Sequence, residues 1–373
     1  MNEKLFLIAH RLVENHSLSL DEYKELISGY GEEIKEYLRA EAVKTRKAAY
    51  GNSVFIRGLI EISNICKNNC FYCGIRGGNG NCQRYRLTPE EIFECCASGY
   101  ELGFRTFVMQ GGEDGFYTDE ILCELIGKIK KRFPDCAVTL SLGERSKESY
   151  QRLFDAGADR YLLRHEAADE ELYSKLHPEN MSLENRMECL ENLKSIGYQV
   201  GCGFMVGAPY QTAEHIAKDL KFIEEFKPDM CGIGPFVPHK DTFFKNEKAG
   251  SADLTCYLLS IIRLIHPNIL LPATTALGTV ENDGREKGIL SGANVVMPNL
   301  SPASVRKKYE LYDNKLNTGA EDAQKLAELK KKMEDIGYKV VVLRGDAKPI
   351  PLFCLQKGGG TIANGNGGWY KKE

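Results

Sequence analysis

Short apolar runs alternate with helix-like stretches from residue 53 to residue 298, and this alternation leaves few folds open to the chain. The runs are SVFIRGLIEIS at 53–63, RTFVMQ at 105–110, AVTLSL at 137–142 and RYLLR at 160–164. Four more follow: QVGCGFMV at 199–206, MCGIGP at 230–235, ILLPA at 269–273 and NVVMP at 294–298. Helices are predicted between them near 118–133, 146–156, 182–196, 212–226, 253–264 and 284–291. The segment LTPEEI marks another helix start, with Thr88 as N-cap, Pro89 at the first helical position and Glu91 completing a capping box. Eight βα repeats from Val54 to Met297 occupy about 244 residues, close to the ~250 typical of a (β/α)8 TIM-type barrel. A doubly wound open sheet is the rival α/β architecture.

Around this unit, residues 1–50 read as an amphipathic N-terminal helical extension and 51–312 as the barrel. Residues 313–345 read as a C-terminal segment, a helix over 319–340 followed by the strand-like KVVVLRG. The Gly-rich, polar ending at 346–373 is predicted to be poorly ordered.

A net charge of −3 gives no reason to expect a nucleic-acid or membrane surface. No apolar run approaches the roughly 20 residues that span a bilayer, and the N-terminus lacks a signal-peptide core. A cytoplasmic location is expected. The thirteen cysteines are odd in number and scattered, unlike a secreted disulfide framework. They fit a reducing, anaerobic cytosol. Most, among them Cys136, Cys202 and Cys231, fall in apolar patterns and read as small buried hydrophobes.

Three cysteines stand apart. ISNICKNNCFYCGIR, residues 62–76, places Cys66, Cys70 and Cys73 just after the first strand, where a barrel carries its chemistry. Thiolates are soft ligands for zinc or iron–sulfur centres. A structural zinc site takes four protein ligands; Cys82 and distant histidines exist, but none has the paired spacing of a zinc knuckle. A 4Fe–4S cubane held by three thiolates leaves one iron free to chelate the amino and carboxylate groups of S-adenosylmethionine. One electron then cleaves the sulfur–C5′ bond and yields a 5′-deoxyadenosyl radical. Zinc and thioredoxin-like chemistry are the rivals. Tyr72 is placed to cover the cluster or touch adenine. The second strand ends in QGGED, where Gly111 and Gly112 permit close backbone approach and Glu113 suits an ammonium group.

The cysteine run, QGGED, RYRLTPEEI, TLSLGE, GADRYLLRHE, MVGAPYQT, GIGPFVPHKDT, PATTALGT and GANVVMPNLSP together resemble the radical S-adenosylmethionine superfamily, and within it the HydE family of FeFe-hydrogenase maturases. The resemblance spans residues 50–312. It implies one cluster and one S-adenosylmethionine at a barrel mouth. It also implies a part in building the di-iron unit of the hydrogenase from a cysteine-ligated iron carbonyl/cyanide complex. HydG-type and HydF-type maturases would be partners before and after, with an external one-electron reductant, and the chain would be a monomer. Some family members hold an accessory 2Fe–2S cluster through cysteines near the C-terminus. Here residues 299–373 contain only Cys354, so no second cluster is expected.

Strand alternation puts Arg164 and Glu166 of RYLLRHE on one face, facing the lumen. A structural pair between them is the plainer reading. The resemblance implies that Glu166 and Arg186 hold the cofactor and that Arg164 meets an anionic part of the substrate. His165 should point away from both, with hydrogen bonding favoured over catalysis. Ser141 is inward if Thr139 is, within reach of the cofactor. Thr274 and Thr275 offer hydroxyls at the mouth for a carboxylate or cyanide nitrogen, or serve as a cap. Met205 and Met297 end strands as an apolar wall or as core, and Tyr309 closes the mouth as a similar tyrosine does in the family. No catalytic side chain is nominated beyond the cluster and cofactor. A methylornithine-synthase-like or biotin-synthase-like radical enzyme is the nearest alternative, and a non-catalytic iron–sulfur scaffold the alternative from another class.

Overall fold

The computed structural model describes residues 3–316 and 322–348, and in it the apolar runs form one ring of parallel strands. The first run is β1 (Ser53–Ile56) and β2 (Gly58–Ser63), interrupted at Arg57. Next come β3 (Thr106–Gly111), β4 (Ala137–Ser141) and β5 (Arg160–Leu162). The fifth run splits into β6 (Gln199–Cys202) and β7 (Met205–Val206), and the sixth into β8 (Met230–Cys231) and β9 (Gly234–Pro235). The eighth gives β10 (Val295–Val296). Six strands pair in the order β2-β3-β4-β5-β6-β8. Bridges from Met230 to Leu270 and from Pro272 to Val295 carry the ring through the seventh run. The pairing of β10 with β1, and of Leu59 with Asn299, closes it. The open-sheet alternative is thereby excluded.

Side chains alternate across the ring. Ile60, Ile62, Phe107, Met109, Val138 and Leu140 point outward into the main core beneath the helices. Val108, Thr139, Leu162 and Met230 point inward around a small cavity. The helices α4 (Pro89–Glu101), α5 (Asp119–Arg132), α6 (Lys147–Asp155), α7 (Glu170–Leu176) and α8 (Leu183–Ile196) follow the early strands. α9 (Ala213–Phe226), α10 (Ala252–Ile265), α11 (Thr275–Val280) and α12 (Gly284–Leu290) follow the later ones. Side-chain N-caps from Thr88, Thr118, Ser146, Asp169, Ser182, Thr212 and Ser251 satisfy first-turn N–H groups of α4 through α10, and α4 shows the full capping box with Pro89 and Glu91.

Three N-terminal helices, α1 (Glu3–Asn15), α2 (Leu20–Ser28) and α3 (Glu32–Tyr50), lie against the barrel's outer helices, α2 along α9 and α3 along α10. A helix over Leu326–Asp335 leads into β11 (Lys339–Val341), which adds in parallel to β1. The predicted helix over 319–340 is therefore shorter. The Gly-rich ending from 349, with Cys354, lies outside the described residues.

Beyond β11 the chain crosses the base of the barrel. Arg160, fully buried, donates to Thr106 Oγ1 at 3.0 Å, to the Arg344 carbonyl at 3.0 Å and to Asp346 at 2.6 Å. Burial opposes the charge on Asp346, yet hydrogen bonds and charge from Arg344 and Arg160 outweigh it and hold its carboxyl at about 2. A carboxylate depressed in the folded state stabilises above its ordinary range and loses that contribution as pH falls toward 2. Asp346 is 40% exposed, so solvent screening discounts the gain. Asp346→Asn should cost about 1 kcal/mol at neutral pH, measured by urea denaturation, with the difference from wild type closing between about pH 4 and pH 2.

Candidate functional site

The three cysteines lie on a loop at the C-terminal end of β2, tied to four separate parts of the fold. Lys67 N–H donates to the Glu113 carbonyl beyond β3, Phe71 N–H to Leu176 at the end of α7, and Gly74 N–H to Leu311. Phe243 N–H donates back to the Phe71 carbonyl. Arg84 spends its guanidinium on four loop carbonyls, those of Asn64, Ile75, Arg76 and Asn79. Asn64 adds side-chain bonds to the carbonyls of Gln83 and Lys308. Such saturation fixes a backbone that has no regular structure of its own.

Two glycines are required by contact. A Cβ on Gly112 would stand 2.3 Å from the Ile65 carbonyl oxygen and 2.6 Å from Cys66 Cβ. One on Gly74 would stand 2.2 Å from the Glu310 oxygen and 2.5 Å from the His239 ring. The close approach expected at Gly112 is thus made to the cysteine loop itself. Glu113 is likewise occupied: its carboxylate meets the Lys67 ammonium at 3.1 Å and accepts from the Glu144 N–H at 3.0 Å.

Burial pushes all three thiols upward, Cys70 well above the ordinary range and Cys73 to about 12. The free chain therefore holds them protonated, and metal uptake displaces protons. Cys70 feels the charge of Cys73 and Cys66, and Cys73 that of Cys66, which places the three as neighbours. Arg186 opposes the rise at Cys70. No three His, Cys, Asp or Glu side chains among the described residues converge as one metal ion would require. A cubane takes its thiolates at separate corners and makes no such demand, so the donor set and its placement fit a cluster.

Around the thiols stand several of the residues expected from the sequence. Tyr72 donates its hydroxyl to His177 Nε2 at 3.2 Å. Burial lowers the His177 pKa to about 3, and its other nitrogen donates to the Tyr173 carbonyl, so the ring is neutral with Nε2 as acceptor. Arg186 is buried, bonded to Glu144 at 2.6 Å and to the Arg164 carbonyl, and is no solvated helix arginine. Glu166 is buried with φ +64° and pairs with Arg164 at 3.2 Å. A left-handed glutamate costs of order 1–3 kcal/mol and survives only where the surroundings dictate it. Its charge acts on Cys70, Cys73 and Tyr72. Met205 belongs to an apolar cluster with Tyr173, Leu176 and Phe236, against which Phe71 and Tyr72 pack. Tyr309 is buried, accepts from Gln110 at 3.3 Å, and carries the Lys315 ammonium 5.0 Å from its ring centroid.

The other expected residues occupy strand ends, a helix start and the lumen. Ser141 ends β4 opposite Gln110, and Gly111 ends β3 against the Ser63 carbonyl. Thr274 is the N-cap of α11, yet its side chain makes no capping bond, and its buried hydroxyl has no hydrogen-bond partner among the described residues. Thr275 opens the same helix. Met297 lies deeper, lining the inner cavity with Met230, so Met205 and Met297 share no wall. His165 is fully buried: Gly203 N–H donates to its Nδ1, and Nε2 meets Asp219 at 3.2 Å. That is a structural histidine. Cys202 and Cys231 face each other across β6 and β8 in the outer core, and Cys136 is buried there too.

Sequence reasoning passed over the inner cavity. Arg57, between β1 and β2, is buried, gives one nitrogen to Met230 Sδ at 2.8 Å, and leaves Nε and Nη2 without a hydrogen-bond partner among the described residues. Thr139 Oγ1 nearby is also unpartnered. Above them Glu61 is buried between Lys315 and Asn299, the latter at 2.8 Å. Arg57 and Glu61 fall four apart in an apolar strand, and that spacing was the readable signal that both face the lumen. A wider cleft between α4 and α5, lined by Phe93, Ile121 and Leu125, lies outside the barrel.

The comparisons agree with this geometry. Residues 60–223 match the radical SAM superfamily. The chain is 43% identical to the FeFe hydrogenase maturase subunit HydE of Thermotoga maritima over 88% of its own length and 93% of that protein. The 3-methylornithine synthase of Methanosarcina acetivorans is 30% identical over 90% and 94%. The crystal structure of methylornithine synthase (PylB) superposes with a TM-score of 0.77 at 27% identity, covering 90% of this chain and 97% of that one. A barrel with three thiols at its mouth and this superfamily match define a radical S-adenosylmethionine enzyme. Within that class, the chain belongs to the HydE family of FeFe-hydrogenase maturases.

Because Gly112 touches the loop backbone, Gly112→Ala should displace Cys66 while leaving the barrel intact. Anaerobic reconstitution should load less than half the wild-type iron, with a stability loss of about 1–3 kcal/mol. Full iron content in that variant would contradict the contact.

Proposed function

We propose that Cys66, Cys70 and Cys73 hold the three protein-ligated irons of a single 4Fe–4S cluster, and that the barrel acts on a cysteine-ligated iron carbonyl/cyanide complex during assembly of the hydrogenase di-iron unit. When bound, the cluster and S-adenosylmethionine supply a 5′-deoxyadenosyl radical. The chain's own work is to bind, orient and exclude water. Tyr72, Gly111, Gly112, Glu113, Ser141, Glu166, Arg186 and Met205 form the cofactor wall. Arg164, Thr274, Thr275, Met297 and Tyr309 face the substrate. Arg57 and Thr139 extend that set inward, since an unpaired buried guanidinium and hydroxyl are satisfied by an anionic, cyanide-bearing ligand. The observation that carries this reading is the three-thiol loop at the mouth of a lumen in which Arg57, Thr139 and Thr274 keep polar atoms unpaired. No general base is assigned.

In this reading a HydG-type maturase supplies the iron complex, a HydF-type maturase receives the product, and the chain works as a cytoplasmic monomer with an external one-electron reductant. A second reading, methylornithine synthesis, is favoured by the 30% identity to that synthase and by the TM-score of 0.77.

Anaerobically reconstituted chain should hold four irons and four sulfides, because one cysteine beyond residue 299 cannot carry an accessory cluster. With dithionite, S-adenosylmethionine and the iron complex it should form 5′-deoxyadenosine or an adenosylated product and restore hydrogen evolution to an in vitro maturation mixture. Cys73→Ala should lower this by more than about 100-fold. Formation of 3-methylornithine with no maturation would favour the second reading; iron content without cofactor cleavage would favour a scaffold.

Arg57→Met separates anion binding from folding. Removing an unpaired buried cation should leave stability unchanged or raise it, while the iron complex binds about tenfold more weakly. Lower stability with unchanged binding would show that Arg57 is structural.

A further inference from the structure

The outer wall of the barrel is open between α4 and α5. A cleft of about 530 Å³ runs between these neighbouring helices, floored by Phe93, Ile121 and Leu125 with Pro89 at one end. Leu125 is buried, whereas Phe93 and Ile121 keep part of their surface exposed. The rim carries charge in two blocks. Both helices descend from the C-terminal ends of the strands to the base, so Glu90 and Glu94 lie in the mouthward half of α4 and Lys131 and Arg132 close α5 at the base. Ahead of these two bases, Glu124 and Lys128 satisfy each other at 2.7 Å. That leaves two acids and two bases, none of which enters an ion pair among the described residues.

Elsewhere the chain covers its own barrel, with α2 along α9 and α3 along α10. Residues 349–373 follow Lys348, which sits at the base, its N–H donating to the Tyr50 hydroxyl at 3.4 Å. The sequence ends in Trp369, Tyr370, Lys371, Lys372 and Glu373, and Trp369 is its only tryptophan. The 21 steps from Lys348 to Trp369 reach up to about 70 Å. The 14 residues of α5 rise only about 21 Å, so the terminus can cross the base and climb the wall.

The two patterns are complementary. Read from mouth to base, the cleft presents apolar surface edged by acids and then a pair of bases. The terminus presents two aromatics, two lysines and then Glu373 with the terminal carboxylate. The lengths agree too. From Ile121 to Arg132 the helix rises about 17 Å, and five extended residues cover about the same distance. Tethering holds the terminus at about millimolar effective concentration, so a contact of this size suffices.

We propose that residues 369–373 seat in the cleft between α4 and α5. Trp369 and Tyr370 lie on the apolar floor, Lys371 and Lys372 face Glu90 and Glu94, and the final carboxylates face Lys131 and Arg132. The occupant is the chain's own terminus, and the proposal is independent of the cluster assignment.

The fluorescence of Trp369 reports the seat directly, because no other tryptophan contributes. In the full-length chain its emission should lie to the blue of that from a free peptide of residues 364–373, with acrylamide quenching at least about threefold slower. Glu90→Lys with Glu94→Lys should bring quenching to within about twofold of the peptide, and so should Lys371→Glu with Lys372→Glu. Combining all four substitutions restores opposite charges and should return most of the shielding. Circular dichroism melting reports the fold separately; should the rim variant fail to fold, the Lys371 and Lys372 variant decides alone. Tryptophan as accessible in the intact chain as in the peptide, or shielding untouched by either charge reversal, would overturn the proposal. So would a fourfold variant no better shielded than either pair, or shielding that grows with protein concentration, as a second copy would give.

Discussion

The site depends on a loop without regular structure being held as rigidly as the barrel beneath it. Three half-buried thiols have to stay in place as neighbours before metal arrives, while desolvation pushes each toward its neutral form. Backbone hydrogen bonds to Glu113, Leu176 and Leu311 and the four-carbonyl grip of Arg84 meet that demand. Gly112 and Gly74 let neighbouring chain come closer than any side chain would allow. The loop is thereby preorganised, and the cost of ordering it is met in folding and not at metal binding.

The barrel separates two kinds of charge. At the base Arg160, Arg344 and Asp346 are mutually satisfied, so that end is sealed by completed ion pairs. Within the lumen, Arg57 just above that base, Thr139, and Thr274 at the start of α11 keep polar atoms unpaired, and the Arg164–Glu166 pair leaves atoms without hydrogen bonds. Unsatisfied buried groups destabilise a fold, and their concentration in the lumen marks where a ligand completes the structure. The strained backbone at Glu166 sits in the same region. Stability is invested at one end and function at the other, the division expected of barrel enzymes.

Much of this was legible in the sequence because the barrel is repetitive. Each of the eight apolar runs lies on the ring, since strands buried on both faces have to be apolar almost throughout. The helix over α4 announced itself through Thr88, Pro89 and Glu91. Two short helices, α7 and α11, escaped notice, although α12, no longer than α7, was anticipated. Near the thiols, Tyr72 was anticipated from the cysteine motif and Glu166 and Arg186 from the family resemblance, whereas Arg84 and Asn64 act through backbone carbonyls and leave no pattern. Glu113 was read as waiting for a ligand, yet Lys67 and the Glu144 N–H already engage it, contacts made across loops distant in sequence. Arg57 was overlooked because its run reads as one strand, although a charge inside an apolar run is itself a warning.

The proposed centre is a four-iron cluster with only three corners tied to protein. Mössbauer spectra of the anaerobically reconstituted chain, recorded before and after adding S-adenosylmethionine, address that directly. One iron in four should change its signal when the sulfonium compound binds, and the other three should stay as they were. Four equivalent irons indifferent to the addition, or zinc in their place, would contradict it.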